Sequence, residues 1–164
     1  MKKLAFCCLF FLLQVFAFAQ SDSLIYHPEA DAMAEFEEVV RRAGAEKKHV
    51  VVMVGGNWCR WCRIFEKFRL SNQNVVSAVD TGFIWMHLNY SKENKNPEMM
   101  ARLGFPQRFG FPVFVVVDGA GQRLHTQNSA YLEEGEGYSE NKVVEFLQQW
   151  SPAALQPGPY EQQR

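Results

Sequence analysis

The sequence predicts an α/β domain in which helices flank a central four-stranded mixed sheet. Three observations support this prediction: two apolar runs separated by a helical segment, a later pair of predicted strands joined by a glycine-rich turn, and helical apolar spacing at both ends of this region. The first observation indicates a parallel βαβ unit, and the second an antiparallel hairpin followed by a helix. Together the two units supply the four strands of one sheet.

Each element is predicted from its own spacing or end signal. Apolar residues between Ala32 and Ala43 fall on one face of a helix, whereas the run Val50–Val54 is too short for a helix and indicates a strand buried on both faces. Pro97 suits the first turn of a helix, and Ser139 is a good N-cap for the last one. The predicted elements are helix Pro28–Lys48, strand Val50–Val54, helix Cys59–Leu70, strand Phe83–Leu88, helix Pro97–Leu103, strands Pro112–Val117 and Gln122–Thr126, and a helix after Ser139 that buries Val143, Val144, Phe146, Leu147 and Trp150.

The composition of the 164 residues is that of an ordinary globular protein. Apolar residues make up 48% of the chain and charged residues 21%, so a domain of this size can bury a core without disulfides or structural metals. The formal net charge is -1, and Lys and Arg form no run longer than a pair. We therefore expect no nucleic-acid partner.

The start of the chain has the pattern of a secretory signal peptide. Lys2 and Lys3 precede a long apolar stretch, and the small residues Ala17 and Ala19 mark a cleavage site. A membrane anchor is the alternative, although polar residues from Gln20 onward end the apolar stretch early. The mature protein is therefore expected to be periplasmic or secreted. The predicted division is a signal peptide at 1–19, an N-terminal linker at 20–28, the folded domain at 29–152 and a C-terminal tail at 153–164.

Removal of the signal peptide leaves two cysteines, Cys59 and Cys62, in an exported protein. Such a short ring adds little stability, so the pair indicates chemistry rather than a structural staple. The turn Gly55–Gly56 ends a buried strand and places Cys59 at a helix N-terminus, where unpaired N–H groups, the helix dipole and the nearby Arg60 and Arg63 favour a thiolate. We therefore expect Cys59 to be the nucleophile and Cys62 to be the resolving thiol.

Two other interpretations of the cysteine pair remain open. The cysteines could only pack in the core, or they could bind zinc or copper. A closed zinc site needs about four ligands, whereas the four histidines of this chain are scattered far from the pair and from one another. We therefore predict no metal ligands and no soluble cofactor.

The segment Trp58-Cys59-Arg60-Trp61-Cys62 resembles the W-C-x-x-C active site of the thioredoxin superfamily. Gly110-Phe111-Pro112-Val113 resembles the start of the strand that carries the cis-proline of that superfamily, and the resemblance spans about residues 32 to 150. Within the superfamily, the chain is most similar to exported thioredoxin-like proteins and to the C-terminal thiol domain of the DsbD membrane electron-transfer proteins. The resemblance implies the thioredoxin fold, with Pro112 in cis and the backbone at Phe111 open to an extended substrate segment.

The sequence departs from the thioredoxin pattern at its buried charged positions. Met53 stands where thioredoxins usually carry a buried acid, so the usual proton acceptor for the resolving thiol is missing. His87 occupies the place of the buried lysine, and Glu66 lies one helical turn after Cys62. Both are candidate proton acceptors, against the simpler interpretations of a half-buried strand histidine and a solvated helix acid.

The residues around the pair leave the redox direction open, since Arg60-Trp61 matches neither the common reductases nor the strong oxidants. Trp58 and Trp61 are expected to form an aromatic surface around Cys59 that grips a substrate, with core packing as the alternative. The segment between Thr126 and Ser139 is either a docking loop or a solvated connection.

The expected function is that of an exported thiol-disulfide oxidoreductase acting on protein disulfides or thiols. We expect a monomer that works as a reductase, and the family implies a membrane electron donor that recharges it. The alternative is a thioredoxin-fold binding or chaperone module whose cysteines rest as a disulfide.

Overall fold

A computed structural model of the chain describes residues 24–161. The predicted signal peptide, the first residues of the predicted linker and residues 162–164 lie outside this range. The central sheet has the strand order β2-β1-β3-β4, and the predicted four-stranded mixed sheet with flanking helices is confirmed. Its strands are β1 (His49–Gly55), β2 (Phe83–Asn89), β3 (Val113–Val117) and β4 (Arg123–Asn128).

Strand β1 occupies an inner position and is buried along its whole length, as its continuous apolar sequence predicts. It pairs in parallel with β2 and antiparallel with β3. Val51 and Met53 point into one apolar cluster, whereas Val50, Val52 and Val54 point into the other. The alternation of side chains along a strand therefore divides the core into two layers, one on each face of the sheet.

Six α-helices lie within residues 24–161 together with the sheet. Asp31 caps the first helix through its side chain, which accepts hydrogen bonds from the backbone N–H groups of Met33 and Ala34. Ser139 precedes the fifth helix as predicted, but its side chain makes no capping hydrogen bond. The helices are α1 (Ala32–Glu46), α2 (Arg60–Ser71), α3 (Gln73–Gly82), α4 (Pro97–Arg102), α5 (Glu140–Gln149) and α6 (Gly158–Glu161).

Several details differ from the sequence prediction. Helix α3 was not predicted, and Asn72 caps it by accepting from the N–H groups of Asn74 and Val75. Trp150 follows the end of α5 and is half-buried, stacked on His125 at 4.3 Å between ring centroids. Val144 on α5 is also only half-buried. Strand β3 begins one residue after Pro112.

The segment between β4 and α5 is an ordered hairpin. A 3-10 helix (Ser129–Leu132) leads into the short strands β5 (Glu133–Glu134) and β6 (Gly137–Tyr138). Leu132 and Tyr138 are buried in the core layer that contains the cysteines. The interpretation of this segment as a merely solvated connection is therefore wrong for these two residues.

Within residues 24–161, no helix combines the length and the apolar character needed to cross a bilayer.

Candidate active site

The two cysteines lie at the start of α2, one short turn after β1. Cys59 is the N-cap residue of α2, and its Sγ accepts a hydrogen bond from the backbone N–H of Cys62 at 3.1 Å. The two residues form a disulfide with their Cα atoms 5.3 Å apart. Cys59 is 5% exposed and Cys62 is fully buried. Cys59 is therefore the outer sulfur, placed where the free N–H groups of a helix favour negative charge.

Asn57 connects the active-site turn to the segment that precedes α1. Its Oδ1 accepts hydrogen bonds from the backbone N–H groups of Ile25 and Tyr26 at 3.2 and 3.1 Å, and its Nδ2 donates to the Tyr26 carbonyl at 2.7 Å. The guanidinium of Arg63 donates to the Asn57 carbonyl at 2.6 Å. One asparagine thus fixes residues 25 and 26 against the turn that carries Cys59.

Trp58, which precedes Cys59 in the chain, packs against Phe111. Their ring centroids are 5.3 Å apart in an edge-to-face arrangement, and Tyr90 stacks on Phe111 at 5.0 Å. Trp58 remains 57% exposed, while its indole Nε1 donates to the Tyr90 carbonyl at 2.9 Å. A groove of about 720 Å³ runs beside Trp58 and Tyr90, and its lining includes the exposed Lys92. This side of the site therefore offers an aromatic surface next to an open groove.

Pro112 lies level with the end of β1. Val113 pairs with Val54, so Pro112, one residue earlier, is beside Gly55. The peptide bond between Phe111 and Pro112 is cis, and Pro112 is buried whereas Phe111 is half-buried. Both predicted residues thus border the turn that leads to the cysteines.

Trp61 is not part of the aromatic group that contains Trp58. It is half-buried and packs edge-to-face on Tyr138 of β6, at 5.7 Å between ring centroids. Tyr138 also packs on Phe65 of α2 at 4.8 Å. The two tryptophans, which precede Cys59 and Cys62 in the chain, therefore belong to two separate packing groups, and Tyr138 of the β5–β6 hairpin supports the group that includes Trp61.

Glu66 and His87 form a hydrogen-bonded group with Arg69. Oε2 of Glu66 is 3.1 Å from Nε2 of His87, and Oε1 is 2.6 Å from Nη2 of Arg69. Burial acts to raise the pKa of the Glu66 carboxyl, but hydrogen bonds from His87 and Arg69 outweigh it and hold that pKa at about 2. Glu66 is consequently buried, and its carboxyl is ionised near neutral pH. The interpretation of Glu66 as a solvated helix acid is therefore wrong.

The pairing fixes which nitrogen of His87 carries a proton. An ionised carboxylate only accepts hydrogen bonds, so Nε2 of His87 is the donor, and in the neutral form of the imidazole Nδ1 is the nitrogen without a proton. His87 pairs across the parallel strands with Met53, the residue at the position of the missing acid. Its ring also lies edge-to-face against Tyr26, 5.6 Å away.

Sequence reasoning missed three residues of the site. Asn57 stands one residue before the W-C-x-x-C motif, and its side chain contacts a segment about 30 residues earlier in the chain. Tyr90 and Tyr26 carried no sequence signal, because each is an isolated aromatic residue outside a periodic pattern. Between residues 24 and 161, no three His, Cys, Asp or Glu side chains come together in a group that could hold a metal ion.

Comparisons with known proteins agree with this geometry. The profile of a thioredoxin-like family matches residues 31–119, more than half of the chain. The thiol:disulfide interchange protein DsbD of Pseudoalteromonas atlantica is 25% identical over 118 residues, which cover 65% of this chain and 19% of that protein. The chain thus spans about a fifth of the length of this curated relative.

Solved structures show the same fold. The disulphide isomerase from Xylella fastidiosa Temecula1 has a TM-score of 0.69 and 24% identity, over 79% of this chain and 98% of that one. A structure described as DsbH oxidoreductase has a TM-score of 0.50 and 18% identity, over 73% of this chain and 81% of that one. These likenesses confirm the predicted thioredoxin fold.

Proposed function

The chain belongs to the thioredoxin-like family, and from that premise we propose that it is a thiol-disulfide oxidoreductase that exchanges disulfides with protein substrates through Cys59 and Cys62. The observation that carries the proposal is the position of the Cys59 Sγ, which caps α2 and accepts the N–H of Cys62. A thiolate at this position is stabilised by the helix N-terminus and attacks a disulfide more readily than a thiol does.

In the reducing direction the exchange proceeds in two steps. The Cys59 thiolate attacks one sulfur of a substrate disulfide, which forms a mixed disulfide and releases the other substrate sulfur as a thiolate. Cys62 then loses its proton and attacks the Cys59 Sγ. The bond between Cys59 and the substrate breaks, the second substrate sulfur leaves as a thiolate, and the Cys59–Cys62 disulfide forms.

His87 is the proton acceptor for Cys62 in this proposal. Glu66 is already ionised, and with its pKa at about 2 it does not take up a proton near neutral pH. It instead holds Nε2 of His87, which leaves Nδ1 as the basic nitrogen. Of the two acceptors predicted from the sequence, Glu66 thus orients the ring and His87 takes the proton.

The aromatic residues supply the substrate surface. Trp58 and Phe111 are in contact, and Pro112 sits level with Gly55 at the end of β1. In this proposal an extended substrate segment lies along Phe111 and Pro112, next to the outer sulfur of Cys59. Trp61 packs on Tyr138, apart from this aromatic group, so we assign the substrate contact to Trp58, Phe111 and Pro112 and give Trp61 a smaller part in it.

We further propose that the protein acts in the periplasm as a monomeric reductase. The signal-peptide pattern of residues 1–19 supports export, and an exported reductase needs a membrane electron donor to return its disulfide to the dithiol state. The exchange chemistry itself requires no soluble cofactor.

Turnover of a protein disulfide tests the proposal. We expect the wild-type protein to accelerate reduction of insulin by dithiothreitol, Cys59→Ser to abolish the acceleration, and Cys62→Ser to accumulate a mixed disulfide through Cys59. Equilibration of the wild-type pair with glutathione gives the direction of electron flow. A binding or chaperone module is instead indicated if both serine variants retain the cellular role of the protein.

A further inference from the structure

Tyr26 carries a buried hydroxyl that the exchange mechanism has not used. The side chain is fully buried, and none of the described residues gives its Oη a hydrogen bond. A buried hydroxyl without a hydrogen-bond partner destabilises a fold, and buried tyrosines usually have such a partner. The buried hydroxyl of Tyr26 is therefore a candidate hydrogen-bond donor to a group that is not an acceptor in the oxidised protein.

The hydroxyl lies beside the inner sulfur of the disulfide. A Cβ built on Gly55 would lie 2.5 Å from the Cys62 Sγ and 2.6 Å from the Tyr26 Oη. Both atoms thus converge on the same face of Gly55, and their separation is no greater than the sum of these two distances. Only a residue without a side chain leaves room for them together.

The protein holds the Tyr26 ring in this place from two sides. Asn57, two residues before Cys59, makes hydrogen bonds to both the N–H and the carbonyl of Tyr26. The His87 ring packs edge-to-face against the phenol at 5.6 Å. The hydroxyl is therefore positioned by the active-site turn itself and by the proposed proton acceptor.

We propose that the Tyr26 hydroxyl donates a hydrogen bond to the Cys62 sulfur once the disulfide is reduced, and that it stabilises the Cys62 thiolate that resolves the mixed disulfide. The inference rests on the proposed exchange function. In the disulfide, the Cys62 sulfur is an uncharged and weak acceptor, whereas a thiolate accepts a charge-assisted hydrogen bond. The donor that lacks a partner in the oxidised protein thereby gains one when Cys62 loses its proton to His87.

The groups around Tyr26 keep its hydroxyl protonated. Burial raises the pKa of Tyr26 well above its ordinary value, and the negative charge of Glu66 raises it further. Met53, at the position of the acid that thioredoxins usually bury, is itself fully buried and has no donor to offer. Tyr26 thus supplies a hydrogen-bond donor to the inner sulfur in a site that lacks the usual acid.

Tyr26→Phe removes the hydroxyl and keeps the ring. With the reduced protein and DTNB, the first coloured thiolate is released by attack of Cys59 and the second by resolution through Cys62. We expect the first release to keep its rate, the second to slow about tenfold, and the pH midpoint of the second to rise by about one unit, as loss of a hydrogen bond to a charged group requires. Tyr131→Phe is the control, because it makes the same change at a tyrosine that is 74% exposed, in the 3-10 helix before β5.

The two releases separate this inference from the function on which it rests. Absence of the first release in the wild-type protein overturns both. A normal first release with an unchanged second release in Tyr26→Phe overturns the role of Tyr26 alone, and so does equal slowing of both. If Tyr26→Phe does not fold, infrared difference spectra of the wild-type protein with ring-deuterated tyrosine give the answer. A tyrosine C–O band that shifts on reduction supports the hydrogen bond, and an unchanged band overturns it.

Discussion

Glu66 on α2 and His87 on β2 are joined by a hydrogen bond of 3.1 Å between Oε2 and Nε2. The sequence marks each residue separately as a candidate proton acceptor, whereas the structure joins them in one hydrogen-bonded group. Hydrogen bonds from His87 and Arg69 hold the Glu66 carboxyl ionised near neutral pH, so in the proposed mechanism the imidazole, and not the carboxylate, receives the proton of Cys62.

Replacement of His87 by alanine should slow the resolving step. We expect His87→Ala to reduce the rate of the second thiolate release about tenfold at pH 7 while the first release is unchanged, because Cys62 then loses its proton to water alone. Single-turnover mixing across pH 6 to 9 measures both phases. His125→Ala is the control, since His125 lies on the opposite edge strand of the sheet. Unchanged single-turnover kinetics in His87→Ala contradict the assignment.

Acid should weaken the fold through Glu66. The pKa of this carboxyl is about 2 in the folded protein and 4.5 as its ordinary value, so the unfolded state binds more protons between these values. The stabilisation is therefore present above about pH 5 and is lost as the pH falls towards 2, by no more than about 3 kcal/mol. Urea unfolding of wild type and Glu66→Gln at pH 7, 5, 4 and 3 measures the difference.

Glu66→Gln should be less stable than the wild type at pH 7 and should lose less stability on acidification. Glu136→Gln, an exposed change on the β5–β6 hairpin, provides the control curve. If the free energy of unfolding falls with pH equally in the wild type and in Glu66→Gln, the Glu66 carboxylate is not the cause of the acid destabilisation.

A side chain at Gly55 should disrupt the packing around Cys62 and Tyr26. The methyl group of Gly55→Ala would meet the Cys62 Sγ and the Tyr26 Oη at less than van der Waals distance. We expect a loss of about 1–3 kcal/mol in the free energy of unfolding, measured by urea denaturation. Gly137→Ala is a matched strand substitution with nothing within 4 Å of the new methyl group, and it should change stability by less than about 0.5 kcal/mol. Equal midpoints for the two variants contradict the steric argument.

Asn57 should protect the backbone amides of the segment before α1 from hydrogen exchange. Asn57→Ala removes three hydrogen bonds to Ile25 and Tyr26, whereas Asn57→Asp keeps the acceptor for both N–H groups and loses only the donor to the Tyr26 carbonyl. We expect amide hydrogen exchange at residues 25 and 26 to be fastest in the alanine variant and intermediate in the aspartate variant. If exchange there is the same in all three proteins, other contacts hold the segment.

Loss of the Trp58 indole should affect large substrates selectively. Trp58→Ala removes an aromatic face that is 57% exposed, so we expect KM for a protein disulfide to rise about fivefold or more while the rate with DTNB changes little. Leu70→Ala, 59% exposed near the other end of α2 and about 15 Å along the helix, is the control. An equal effect on both substrates argues that Trp58 supports the turn rather than the substrate.

The sheet was predictable because its strands carry strong local signals. The runs Val50–Val54 and Phe83–Leu88 and the hairpin after Val117 each match one period or turn pattern. Helix α3 escaped prediction because its buried residues Val75 and Val79 give too few apolar positions to define a helical face. It forms in the structure by packing against α5 and β2.

The cysteine pair was predictable for a similar reason, while its surroundings were not. The placement of Cys59 follows from a strand, a glycine turn and a helix that are adjacent in sequence. The contacts of Tyr26, Asn57 and Tyr90 join segments far apart in the chain, and no local pattern encodes them. Likewise, only the tertiary structure assigns Trp58 and Trp61 to two different packing groups.

The hydrogen bonds between Asn57 and residues 25 and 26 also bear on how this protein should be handled in the laboratory. They bring the beginning of the described chain to within one side chain of the reactive turn. We therefore expect an affinity tag or fluorophore attached just before Leu24 to lie close to the active-site turn and to hinder the approach of a substrate. Attachment after α6 avoids the segment that Asn57 holds. Assays of the two tagged proteins then measure how far the segment before α1 limits access of the substrate to Cys59.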